Sequence, residues 1–237
     1  MTASGNTGKL RLYMSMSLDG FIAGPNDGPG RGLGVDGESL HAWLGDGGID
    51  PGSHRPDGVG VNTRVFDEMM TTRAVITGRR TFDFAGGWAG DHHDGVPVFV
   101  LSRTVPDEPP TGSSRYVTDV KECVALAKEA AAGGDVMMHG ASAAQAVLAA
   151  GLLDEMEVHL VPMLLGQGRR LFDHLPAKHV ELELLRTLEA RAAPYPRRTG
   201  GPAPALPADD RRLTTVASAA DRMSGGKHRS HGESRDF

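Results

Sequence analysis

The residues best suited to chemistry lie in one stretch, Val75-Ile76-Thr77-Gly78-Arg79-Arg80-Thr81-Phe82. A short apolar, β-branched run stops at a glycine and is followed by two arginines and a threonine. Such a strand delivers the chain to a fixed point, and glycine lets a ligand approach the backbone closely. A helix starting there offers free N–H groups and the positive end of its dipole, which suits phosphate. Arginine adds planar, bidentate donors. Val96 to Leu101 is continuously apolar, the signature of a strand covered on both faces, and it ends at Ser102-Arg103-Thr104. Either strand end alone could be a corner with solvated arginines. Together they point to one ligand carrying several phosphates. A further elbow follows Val136-Met137-Met138, where His139-Gly140-Ala141-Ser142-Ala143-Ala144-Gln145 turns into a helix through residues small enough for close backbone approach. It is not GxGxxG, so the motif is weak by itself.

Asp19-Gly20 closes the first strand, Leu10 to Leu18, and a carboxylate at a strand end beside glycine is where α/β enzymes place reacting groups. A turn cap would use the same residue. The run Asp91-His92-His93-Asp94 has the residue types of a metal site. Adjacent histidines on a strand point to opposite faces and no third ligand follows at useful spacing, so no metal is expected.

The elements that must position these residues follow from periodicity. Strands are expected at Leu10 to Leu18, Phe21 to Ala23, Ala74 to Thr77, Val96 to Leu101, Tyr116-Val117, Val136 to Met138, Met156 to Leu165 and Val180 to Leu188. Pro162 inside the seventh implies a bulge or an edge. Helices are expected after Asn62 or Thr63, over Thr81 to Ala85, over Val120 to Ala132 behind an Asp119 cap, and over Ala144 to Ala150. Gly24 to Gly37 is a long glycine-rich loop, suited to a mobile cover or a linker, and Glu38 to Leu44 is a short amphipathic turn of helix. Gly45 to Gly60 carries no pattern and reads as exposed. From Arg191 to Phe237 there is almost no aliphatic periodicity, which reads as a disordered tail.

Composition sets the outer bounds. A 237-residue chain has room for a sizeable core, while 32 glycines and 15 prolines imply that part of it stays outside that core. A net charge of −5 gives no electrostatic case for nucleic acid. The single cysteine, Cys123, rules out an internal disulfide and fits a reducing compartment. No run approaches the ~20 apolar residues of a membrane span and residues 1–9 lack an apolar signal core, so a cytoplasmic protein is expected.

These pieces, in this order, resemble the dihydrofolate-reductase-like superfamily, within it the bacterial family of the riboflavin-biosynthesis reductase C-terminal domain. The matching residues are Ser17-Leu18-Asp19-Gly20-Phe21-Ile22-Ala23-Gly24, Thr77-Gly78-Arg79-Arg80-Thr81-Phe82, Val98-Phe99-Val100-Leu101-Ser102-Arg103, His139-Gly140-Ala141-Ser142, Ala150-Gly151-Leu152-Leu153-Asp154-Glu155 and the run from His159 to Phe172. The resemblance covers roughly residues 9–190, leaving residues 1–8 as a disordered N-terminus. It implies a three-layer α/β/α sandwich around a mixed, mainly parallel sheet, with NADPH across the strand ends. By resemblance, Gly78, Arg79, Arg80 and Thr81, with Leu101, Ser102 and Arg103, hold the pyrophosphate and the 2′-phosphate. Gly140, Ala141, Ser142, Ala143 and Gln145 take the other side of the pyrophosphate, and Ile22 and Ala23 lie against the nicotinamide. Hydride transfer to a C=N or C=O carbon of a small heterocyclic or carbonyl substrate is then expected, with Asp19 orienting substrate or relaying a proton. Trp43 and Trp88 are candidates for the substrate wall and equally for the core. The residues from Gly151 to Glu155 and the following strand would form a homodimer face, as in relatives.

Two departures stand out. Relatives carry Gly-Gly where this chain has Gly140-Ala141, which narrows the approach to the backbone. The family's last strand is also missing, and residues 191–237 read as a foreign, frameshifted tail that leaves Val180 to Leu188 an unprotected edge. A non-catalytic nucleotide-binding protein of the same fold is the alternative, separated from an enzyme by NADPH binding without turnover.

Overall fold

The computed structural model describes residues 8–44, 60–175, 179–191 and 213–221. Strand β1 (Leu10–Ser17) is the axis of an eight-stranded sheet. Beside it stand β6 (Val136–His139) and β7 (Glu155–Val161), both parallel to it. Beyond β6 come β3 (Ala74–Gly78), β4 (Val98–Leu101) and β5 (Ser114–Val117), all parallel. Beyond β7 come β10 (Leu213–Asp221), antiparallel, and β9 (Leu182–Arg191) at the edge. The spatial order is β5-β4-β3-β6-β1-β7-β10-β9. A small ribbon pairs β2 (Phe21–Ala23) with β8 (Arg169–Arg170).

Strand alternation splits the core between two faces. Leu10, Leu12, Ala74, Ile76, Val136 and Met138 pack with Cys123, Val124 and Ala127 of α3 (Val120–Ala130) and with Ala144 and Val147 of α4 (Ala141–Ala149). Their neighbours Tyr13, Val75, Met137, Val98 and Val100 face the other way, onto Val65, Phe66 and Met69 of α1 (Val61–Met70) and onto Leu40 and Trp43 of the 3-10 helix Gly37–Leu44. Phe82 of α2 (Arg79–Phe84) packs on that second face too. Helices on both faces make the expected α/β/α sandwich. Burying a side chain such as Ile76 is worth about 2 kcal/mol, so this alternation is the main determinant of strand register. Among the described residues no helix is long and apolar enough to cross a membrane.

Several expectations need correction. Residues 213–221, expected to belong to a disordered tail, form a strand that fills the slot between β7 and β9, so the segment from Arg191 onward is not wholly disordered. The open edge of β7 offers a row of backbone donors and acceptors, and the pairing tolerates Leu213-Thr214-Thr215-Val216-Ala217-Ser218-Ala219-Ala220, a run with β-branched residues but little alternation. Glu157 of β7, Ser218 of β10 and Arg186 of β9 stand in line across the sheet, and Arg186 Nη2 reaches over to Glu157 Oε2 at 2.5 Å. Residues 1–7, 45–59, 192–212 and 222–237, which carry the disordered N-terminus, the exposed loop and the rest of the tail, lie outside the described residues.

Pro162 does not sit inside a strand, because β7 ends at Val161 and is paired on both sides. Helix α1 starts at Val61 behind Gly60, without a side-chain cap, and Asn62 instead donates to the Trp43 carbonyl at 2.9 Å. The Asp119 cap stands as expected, its Oδ1 accepting from Glu122 N at 2.8 Å.

Candidate functional site

The C-terminal ends of the parallel strands open into a cleft of about 1580 Å³. Its two ends differ in kind. At one end, β3 passes directly from Gly78 into α2, bringing Arg79, Arg80 and Thr81 to the wall, and β4 adds Leu101, Ser102 and Arg103. Gly140 joins them between β6 and α4 with φ 88°, a left-handed value that glycine adopts without strain. A Cβ added there would come within 2.6 Å of Thr81 Oγ1, so the two elbows are fitted to each other only through this glycine.

Most cations at this end already have partners. Arg79 Nε sits 2.7 and 2.8 Å from the two oxygens of Asp83, one helical turn on, and its guanidinium lies over the Tyr116 ring. Arg80 forks onto Asp27 through Nε at 3.0 Å and Nη2 at 2.9 Å, and Arg169 of β8 meets the same carboxylate at 3.0 Å. Burial pushes the Asp27 carboxyl up, but the two guanidiniums outweigh it and leave its pKa below the usual value. Arg103 is different: it is exposed on the cleft wall and has no hydrogen bond or ion pair to any described residue.

At the other end, imidazoles replace guanidiniums. His139 at the end of β6 has Nδ1 3.2 Å from the Tyr13 carbonyl and Nε2 3.1 Å from His92 Nε2. His92 Nδ1 lies 2.7 Å from His93 Nδ1, and His93 Nε2 faces Thr72, 3.1 Å from its carbonyl and 3.4 Å from its hydroxyl. Both ends of this chain are carbonyls, which only accept, so three neutral rings can donate at one end alone: to Tyr13 with the protons on His139 Nδ1, His92 Nε2 and His93 Nδ1, or to Thr72 with all three tautomers reversed. Burial lowers the pKa of His139 to about 4 and drives that of His92 well below its ordinary value, with the neighbouring imidazoles adding like-charge repulsion. Trp88 covers His92 at 4.6 Å between ring centroids. It is thrown over the cleft by the left-handed segment Gly86–Gly90, where Trp88 (φ 49°) and Ala89 (φ 52°) are held in a conformation that non-glycine residues disfavour.

His159 of β7 and His41 of the 3-10 helix complete this end. The His159 ring packs edge-on to Trp43 at 4.4 Å, and Trp43 Nε1 donates to Ser15 Oγ at 2.9 Å. His159 Nε2 lies 3.4 Å from Glu157 Oε1. Burial raises the Glu157 carboxyl, and the bonds from His159 and Arg186 more than reverse that shift. Burial, with His159 and His139 nearby, lowers the His41 pKa to about 4.

The family described as RibD C-terminal domain matches residues 8–192. The chain belongs to the RibD C-terminal domain family. A search of curated proteins found no match. Among solved structures, a putative riboflavin biosynthesis protein from Shewanella sp. PV-4 superposes with a TM-score of 0.59 at 21% identity, over 90% of this chain and 99% of that one. Dihydrofolate reductase from Enterococcus faecalis, complexed with NADP(H) and RAB-propyl, gives 0.54 at 15% identity, over 91% and 98%. A diaminohydroxyphosphoribosylaminopyrimidine deaminase/5-amino-6-(5-phosphoribosylamino)uracil reductase from Thermotoga maritima also gives 0.54, at 11% identity over 91% of this chain but only 57% of that one. At these identities the likeness is one of fold.

In this RibD C-terminal domain most of the residues singled out from the sequence meet at the cleft. Ile22, Ala23, Trp43, Gly78, Arg79, Arg80, Thr81, Trp88, Leu101, Ser102, Arg103, Gly140, Ser142 and Ala143 all line it. Three do not. Ala141 and Gln145 face a separate hollow of about 310 Å³, and the Gln145 amide is engaged by the Leu171 carbonyl at 2.7 Å and by His174 N at 3.2 Å. Asp19 stands off the cleft, holding the Ser17 hydroxyl at 2.6 Å and the amides of Leu165 and Gly166 at 3.1 and 2.7 Å. Those bonds, led by Ser17, lower its pKa and clamp the turn after β1. Of the residues expected at a homodimer face, Leu153 is in the core, and Asp154 accepts from Leu10 N and Lys128 Nζ. Among the described residues no group of three or more ligating side chains forms a metal site.

Sequence reasoning missed His41, His139 and His159 as functional candidates. The pair His92-His93 was the one available signal, and its third member arrives through the fold, 47 residues away from His92.

Proposed function

We propose that this domain is an NADPH-dependent reductase that transfers a hydride to a C=N or C=O carbon of a small heterocyclic or carbonyl substrate. Family membership supports the reductase class. The observation that carries the cofactor is Arg103, an exposed arginine with no partner among the described residues, next to Ser102 and lining the same cleft as the paired glycine elbows at Gly78 and Gly140. Permanent cations beside small-residue turns fit a dinucleotide with an extra phosphate, and Arg103 with Ser102 would hold the 2′-phosphate. Gly78, Thr81, Gly140 and Ser142 would hold the pyrophosphate, and buried Ile22 and Ala23 would back the nicotinamide ring. The cofactor supplies the hydride, while the protein supplies position and a water-poor surround. The reductase step named in the Thermotoga relative and pterin reduction, as in the Enterococcus relative's name, are both sub-cases of this chemistry.

Asp19 lies outside the cleft, which favours a second reading, a nucleotide-binding protein without turnover. Thermal shift with NADPH and NADH tests the first reading. NADPH at about 100 times its Kd should add about 2.7 kcal/mol of stability. The variant Arg103→Ala should lose about tenfold in NADPH affinity and almost nothing for NADH, the size of one charged hydrogen bond. No shift with either nucleotide sinks the reading. A shift without NADPH oxidation by any pterin, pyrimidine or carbonyl compound moves the protein to the second.

A further inference from the structure

The imidazole chain beside the cleft is one proton short. It runs from the Tyr13 carbonyl through His139, His92 and His93 to the Thr72 carbonyl, in four contacts of 3.2, 3.1, 2.7 and 3.1 Å. Each contact needs one N–H, and three neutral imidazoles carry only three. The Thr72 hydroxyl does not make up the difference, because its proton goes to the Met69 carbonyl at 2.8 Å. In either neutral arrangement a bare ring nitrogen therefore faces a carbonyl oxygen, with Tyr13, Thr72 and His93 all out of reach of compensating solvent.

A fourth proton removes this conflict. It enters at the bare end, His93 Nε2 or His139 Nδ1, and that ring passes its other proton inward to His92. His139 then donates to Tyr13, His93 donates to Thr72, and His92 donates from both nitrogens as an imidazolium. Only N–H bonds form or break. Trp88, with its ring centroid 4.6 Å from that of His92, is within cation–π range of the charge. Other groups act on it as well. His159, with Glu157 beside it, faces His139 from β7, and His41 does so from the 3-10 helix. Asp91 is turned to Gly95 N at 3.0 Å, Asp94 is exposed, and the Arg73 side chain lies against Gly134. Burial and the neighbouring imidazoles hold the pKa values of His92 and His139 down, so the site is unfilled at neutral pH and takes its proton as pH falls.

The same contacts tie down a loop. His92 and His93 follow the left-handed segment Gly86–Gly90 that holds Trp88 over the cleft, while His139 ends β6 and Thr72 links α1 to β3. Strained backbone of this kind persists only where its surroundings over-determine it. One neutral arrangement gives up the tie to Thr72; the protonated chain makes both ties at once.

We infer that His92, His93 and His139 form a binding site for a single proton, carried on His92, and that filling it clamps the Trp88 loop and puts a positive charge into the cleft wall. The inference stands apart from the reductase reading.

The test follows the histidine ring 15N spectra of the full chain from neutral pH down to the pH at which it unfolds. One imidazolium is expected, His92, flanked by His93 protonated on Nε2 and His139 protonated on Nδ1. Amide-exchange protection factors in residues 86–95 should rise with the same midpoint. His93→Phe removes one acceptor from His92 and should weaken its proton affinity about tenfold, a fall of about one pH unit and the worth of one charged hydrogen bond. His139→Phe removes the acceptor on the other side and carries the same expectation, should the first variant not fold. The inference is overturned if all three rings stay neutral until the chain unfolds, if a second ring charges before unfolding, or if the charge sits on His93 or His139. It is overturned equally by loop protection that stays flat or falls as His92 charges, or by an unchanged midpoint in either folded variant.

Discussion

Arg79, Arg80, Arg103 and Arg169 bring permanent charge to one end of the cleft, while His41, His92 and His139 at the other are kept neutral by burial. The difference lies in the side chains as much as in the surroundings. A guanidinium cannot give up its charge in a protein, so it stays at the rim, forked onto Asp27 or Asp83 or left open as at Arg103. An imidazole can, so it can be packed against Trp43, Trp88 and its own kind. One cleft can therefore bind an anion and a neutral ring side by side without one attracting the other's partner.

The largest expected consequence is acid sensitivity from the neutral end. His41 and His139 have folded pKa values near 4 against an ordinary 6.5, so the unfolded chain takes up their protons first as pH falls. Their stabilising contribution is full above about pH 6.5 and is lost on the way down to 4. By pH 5 each should have lost about 2 kcal/mol, His92 adding to the total. The carboxylates Asp27, Glu68, Glu155 and Glu157, all lowered in the fold, contribute only as pH falls through and below the ordinary carboxylate range. Urea unfolding at pH 7.5, 6.5, 5.5 and 5.0 isolates the histidine window. A flat stability profile across it would mean that these rings are already charged, and the contrast between the two ends would fail.

A somewhat smaller effect should come from removing the carboxylate beneath the neutral end. Glu157 is 1% exposed and holds both Arg186 and His159, tying β7 to β9 across β10. Glu157→Ala should cost about 2 kcal/mol, because Arg186 keeps only Glu68 and His159 Nε2 loses its carboxylate. On the proposed reading NADPH is held at the other end, so its affinity should change less than about twofold. Urea midpoints and a cofactor titration on one preparation would separate the two, and a matching loss of NADPH affinity would show that the ends are not independent.

The two ends also differ in how much of them could be read in the chain. The arginine end is local: apolar strand, glycine and arginine are contiguous at Val75 to Arg80, so composition and order carry the signal. The imidazole end is assembled from positions 41, 92, 139 and 159, each a lone histidine or a pair among ordinary residues. The argument that adjacent histidines face opposite ways assumed a strand at His92-His93, but they sit in a turn whose rings meet at 2.7 Å. The placement of Asp19 off the cleft was illegible for a related reason: a carboxylate after a strand looks the same in sequence whether it faces a ligand or the amides of Leu165 and Gly166. The strand at 213–221 was missed because its pairing is a property of the open edge of β7 more than of its own pattern.

The smallest effect, and the sharpest probe of the arginine end, concerns Asp27. Its carboxylate occupies the forks of Arg80 and Arg169 from the glycine-rich loop after β2, all three residues lining the cleft. It stands where a ligand phosphate would find its best donors, so it competes for them while also holding the loop. These pairs are largely solvent-exposed on the arginine side, which limits their worth to about 1 kcal/mol or less. Asp27→Asn keeps the shape, removes the charge and weakens the competition. NADPH affinity should therefore rise by about three- to fivefold in a calorimetric titration, with Tm in the absence of cofactor falling by no more than a few degrees. Unchanged or weaker NADPH binding would show that Asp27 acts as a strut for the loop.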